Sequence, residues 1–62
     1  MTIGQKLLVT GQIVASGYVF EPGAIVEAGS TDGGLIRIPI LLGVYRLIPL
    51  TTVQQRSRVK PV

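Results

Sequence analysis

Within Leu35–Ile48 the chain sets an apolar side chain at every second position from Ile36 to Val44: Ile36, Ile38, Ile40, Leu42 and Val44. A period of two is the signature of a strand with one face against a core. The opposite face, Leu35, Arg37, Pro39, Leu41, Gly43, Tyr45 and Leu47, is mixed but still largely apolar. A strand apolar on both faces needs two layers of cover, and a chain of 62 residues has little material for a second. The first face is therefore expected to close the domain's own core. Leu35, Leu41, Tyr45 and Leu47 are expected to form a subunit interface. A helix over residues 40–48, begun after Pro39 and stopped by Pro49, is the competing reading. Gly43 and the β-branched residues disfavour it. Pro39 inside a strand implies an edge or a bulge.

Composition supports strands throughout. Val, Ile and Thr supply 20 residues, against three Ala and two Glu, and β-branched residues suit a pleated surface. Gln12–Phe20 reads as one strand and Ala24–Ala28 as another. Glu21-Pro22-Gly23-Ala24 has the Pro and Gly placement of a type II turn, and Asp32-Gly33 is a hairpin dipeptide within the loop Gly29–Gly34. In the last segment, Thr51–Val62, extended chain is preferred, although Thr52 and Gln55 have capping-box spacing. The expected fold is all-β: a small single-domain barrel or sandwich-like module, compatible with an SH3-like barrel. Residues 1–6 form an N-terminal arm, 7–53 the compact module and 54–62 a basic C-terminal tail.

Size argues for a partner. Folding would remove about 5,700 Å² from water. If roughly 60% of that is apolar, the gain is about 85 kcal/mol, against about 90 kcal/mol for ordering the chain. With no Cys there is neither a disulfide nor a thiolate metal site to tip the balance. No stretch resembles a membrane span or a cleavable leader. The chain reads as soluble and complete from Met1, and the lack of Cys fits a reducing compartment.

Catalysis finds little support. There is no His, and the only acids are Glu21, Glu27 and Asp32, at spacings that suggest no acid/base pair. The loop Gly29–Gly34 lacks the Lys and the helix of a phosphate cradle, and its single carboxylate is too few for calcium. No cofactor or metal is expected. Tyr18, Phe20 and Tyr45 are the only aromatics; core filling is the favoured reading of their rings, although Tyr45 also falls on the face assigned to the interface.

Charge is more informative. Residues 1–53 balance to zero, so the net +3 resides in Arg56, Arg58 and Lys60. In extended chain these three would project on one side, as a contact stripe for nucleic acid or an acidic partner. No aromatic interleaves them to stack on bases. The favoured reading is a non-enzymatic structural or assembly subunit of a larger complex. By analogy of class, it would be a minor virion component such as a phage capsid decoration, connector or tail part. Its partners would be copies of itself or a larger structural protein, without a membrane or a small-molecule substrate, and it would be assembled in the host cytoplasm. The alternative is a small β-barrel binding module that contacts nucleic acid or a protein segment through its basic end.

Overall fold

A computed structural model describes every residue, Met1–Val62. The chain is all-β apart from one short helix. Its elements are β1 (Lys6–Val9), β2 (Ile13–Ala15), β3 (Tyr18–Phe20), β4 (Ile25–Ala28), β5 (Leu35–Leu41), β6 (Val44–Pro49), α1 (Val53–Ser57) and β7 (Val59–Pro61). Five strands form one antiparallel sheet in the order β6-β5-β4-β1-β7, and β2 and β3 form a separate hairpin. The large sheet is open, with β6 and β7 as its edges.

Register puts the core on one face. Leu7 pairs with Val26, Val9 with Val59, Ala28 with Ile36, and Ile36 with Ile48. All seven are buried, and Ile13, Ala15 and Leu50 join them in a single cluster. The β2–β3 hairpin thus supplies a second layer over the core face. Tyr18 and Phe20 pack half-buried against the cluster, their rings stacked 6.3 Å apart.

The hairpin corrects the expectation of one strand across Gln12–Phe20. Ser16 and Gly17 both have positive φ, 52° and 78°, the sign pattern of a tight turn that follows the right-handed twist of its strands. The Pro22-Gly23 turn forms as expected: Gly23 has φ 96°, and the Ala24 N–H donates to the Glu21 carbonyl at 3.1 Å. The loop Gly29–Gly34 joins antiparallel β4 and β5, but as a six-residue connection rather than a two-residue turn. The Asp32 carboxylate fastens it, accepting from the Ser30 hydroxyl at 2.7 Å and the Gly34 N–H at 2.8 Å.

Two further expectations change. Leu35–Ile48 is neither one strand nor a helix, because the chain reverses at Leu42-Gly43 between β5 and β6. The supposed core face therefore ends early. Ile36 is fully buried and Ile38 half-buried, whereas Ile40, Leu42 and Val44 are exposed. Nor are residues 54–62 a free tail. Thr52 caps α1 through a complete capping box with Gln55, and β7 then pairs with β1. Burial of Val59 beside Val9 draws this segment into the sheet. The arm is short and also attached, its Gly4 N–H donating to the Ala28 carbonyl at 2.8 Å.

Candidate functional site

The core uses one face of the five-stranded sheet and leaves the other to solvent. At the β5–β6 end, the outer face carries Leu35, Tyr45 and Leu47, aligned by the pairs Leu35–Pro49, Arg37–Leu47 and Pro39–Tyr45. Leu47 is 55% exposed and Tyr45 41%, while Leu35 is half-buried. Leu41 is 70% exposed but belongs elsewhere: the register shifts between Pro39 and Leu41, so it sits beyond a bulge at the hairpin tip. Beside it Leu42 stands wholly clear of the protein. Three of the four expected interface residues thus share a face, and the fourth lies at the adjoining tip. Of the two places expected for Tyr45, the core and the interface face, it occupies the outer surface.

A charged cluster crosses the middle of that face. Cross-strand register aligns Lys6 with Glu27 and Glu27 with Arg37. The Glu27 carboxylate accepts from Arg37 Nε at 2.8 Å and Lys6 Nζ at 3.1 Å. These two hydrogen bonds, from Arg37 first and then Lys6, hold its carboxyl below the ordinary glutamate value. The Arg37 guanidinium in turn lies over the Tyr45 ring, a cation–π placement.

Next to this cluster a cleft of about 250 Å³ opens between β4 and β5, floored by Phe20, Ala24, Val26 and Ile38. Its cause is Pro39. The ladder bonds Gly29 to Leu35, and Glu27 lies opposite Arg37. Two residues on, the same register sets Ile25 opposite Pro39, which has no N–H to donate. Pairing ends at Glu27–Arg37 and the strands part. The sequence flagged Pro39 as an edge or bulge. It lies in an inner strand, at a local break in the ladder followed by the bulge.

The basic residues do not form the expected stripe. Arg56, in α1, donates Nε to the Leu50 carbonyl at 2.9 Å. Arg58, at the helix C-terminus, donates Nη1 to the Gln12 carbonyl at 2.7 Å. Lys60 alone projects from a strand into solvent. The helical turn destroys the period-two alignment, and two of the three cations bind the protein's own backbone. No three acidic side chains converge anywhere in the chain. No protein-family model, no curated protein and no solved structure matches the chain.

Proposed function

We propose that this protein is a non-enzymatic assembly subunit that associates through the outer face and hairpin tip of its β5–β6 arm. One observation carries the reading: the sheet buries only one face, and the other presents Leu35, Tyr45 and Leu47 beside the solvent-exposed Leu41 and Leu42. Exposed apolar groups on a chain this small are a strong drive to association. The partners are copies of itself or a larger structural protein. The proposed setting is a minor virion part, by analogy with other small β-rich chains that lack His and Cys.

The test is light scattering after size exclusion, at low and high salt. A single discrete oligomer that persists at both salts supports an apolar interface, because screening weakens ionic contacts and leaves hydrophobic ones. A stable monomer at both salts overturns self-association and removes the main argument for an assembly subunit.

A further inference from the structure

The two edges of the large sheet are unlike. At the β7 edge, Thr10 N–H donates to the Arg58 carbonyl and Val62 N–H to the Lys6 carbonyl. Ladder alternation then aims the backbone groups of Val59 and Pro61 out of the sheet, and Pro61 has no N–H. This edge strand is three residues long. A short edge strand with an outward proline is a recognised block to further pairing.

The β6 edge has no such block. Leu50 N–H donates to the Gly34 carbonyl at 2.8 Å, and Ile48 and Arg46 lie opposite Ile36 and Ile38. By alternation, residues 46, 48 and 50 bond inward. Tyr45 and Leu47 therefore aim N–H and C=O out of the sheet, and Pro49 adds an outward carbonyl. Six residues of extended chain offer a ready template for another strand.

We propose that β6 pairs antiparallel with β6 of a second copy across a two-fold axis at Leu47, making one ten-stranded sheet. This rests on the assembly reading above and names its partner and contact. Backbone and charge together select the register. With the axis at Leu47, each Leu47 N–H meets the Leu47 carbonyl of the second copy, and each Tyr45 N–H meets a Pro49 carbonyl. All four outward donors are used, and Pro49 falls where only an acceptor is needed. Arg46 then lies opposite Ile48 of the second copy. An axis at Arg46 would use the same donors but set Arg46 directly against Arg46, a destabilising like-charge pair. The outer faces also become continuous, with Leu47 against Leu47 and Tyr45 against Pro49.

The experiment uses the full chain and two substitutions at one position. Leu47→Pro deletes an outward N–H while leaving every bond between β5 and β6 intact. Leu47→Thr keeps that N–H and makes the side chain polar. Sedimentation velocity over a concentration series should show a dimer that Leu47→Pro weakens about 100-fold or more, and at least about tenfold more than Leu47→Thr, which loses side-chain contact but keeps the backbone bond. Amide hydrogen exchange on the wild type is the second readout, independent of whether the proline variant folds. Tyr45 and Leu47 amides should slow about tenfold or more as concentration is raised through the dissociation constant. An oligomer unaffected by Leu47→Pro, or edge amides that exchange equally fast at all concentrations, overturns the edge pairing and leaves the assembly reading standing. A wild type that stays monomeric throughout overturns the edge pairing and self-association together.

Discussion

The guanidinium of Arg37 lies 3.9 Å from the centroid of the Tyr45 ring. The two residues are eight positions apart in sequence and share a sheet face because the β5–β6 hairpin folds one strand back beside the other. Arg37 also donates to Glu27 on the next strand. Tyr45, Arg37, Glu27 and Lys6 thus form a transverse line across β6, β5, β4 and β1. That line fixes side chains on a face that has no core to order them.

The acid limb of stability should report this line. The folded carboxyl of Glu27 titrates below its ordinary value of 4.5, through hydrogen bonds from Arg37 and then Lys6. That of Asp32 titrates below 3.8, held by the Ser30 hydroxyl and the Gly34 amide. A depressed folded value gives stability that is present above the unfolded value and lost as pH falls through the folded one. Urea midpoints should therefore decline below about pH 4.5. Glu27→Gln should lower the midpoint at pH 7 and flatten this decline, and an unchanged acid slope in that variant would show that the Glu27 contacts contribute nothing.

The core face of β5 and the hairpin tip beyond its bulge should respond oppositely to an introduced charge. Ile36 is fully buried, so Ile36→Asp places an unpaired carboxylate among Ala28, Ile48 and their neighbours. The cost should exceed about 4 kcal/mol and abolish folding. Leu41→Asp, at a position 70% exposed, should stay within about 0.5 kcal/mol of the parent in monomer stability and shift the oligomer toward monomer. Circular dichroism and light scattering on the two variants check both halves. A folded Ile36→Asp variant would contradict the core assignment.

Local chemistry made much of the fold legible. Pro22-Gly23 sets its turn by its own φ preferences, and Thr52 with Gln55 makes its own cap; neither needs distant residues. The alternation of Ile36 and Ile38 correctly marks a core-facing strand. What failed was continuity. Ile40, Leu42 and Val44 extend the same period past a turn, and Leu42-Gly43 carries no strong turn signature, so period alone could not show the reversal. Ser16-Gly17 hid a second hairpin for the same reason. The charged line was illegible because Lys6, Glu27 and Arg37 meet only through cross-strand register. Sequence spacing set Arg37 and Tyr45 on one face but far apart, and the hairpin brings them into contact. The basic end failed differently: a capped helical turn interrupts the strand period between Arg56 and Lys60.

The cations of that basic end should separate by structural role. Arg58 donates to the Gln12 carbonyl at 2.7 Å, and its stem lies across Gly11, where a Cβ would meet the Arg58 Cδ at 3.2 Å. Arg58→Ala removes a charge-assisted bond and that packing, and should cost about 1–2 kcal/mol. Lys60→Ala removes an exposed charge and should cost no more than about 0.5 kcal/mol. Urea denaturation of each variant distinguishes them. Equal, negligible losses would mean that Arg58 is a free surface cation after all.

The break in the ladder at Pro39 should be repairable. Pro39→Val supplies the N–H that the register places opposite the Ile25 carbonyl, in a residue type that favours strands. One new hydrogen bond contributes about 0.5–1.5 kcal/mol. Losing proline's restraint on the unfolded chain offsets about 0.4–1 kcal/mol of that. Net stability should therefore change by less than about 1 kcal/mol, and the informative readout is the new amide itself. If Pro39 is what parts the strands, the N–H introduced by Pro39→Val will exchange slowly, like the ladder amides of β5, and the cleft floored by Phe20, Val26 and Ile38 will narrow. A fast-exchanging amide at that position would mean that the Phe20 side of the cleft, rather than the missing donor, holds β4 and β5 apart.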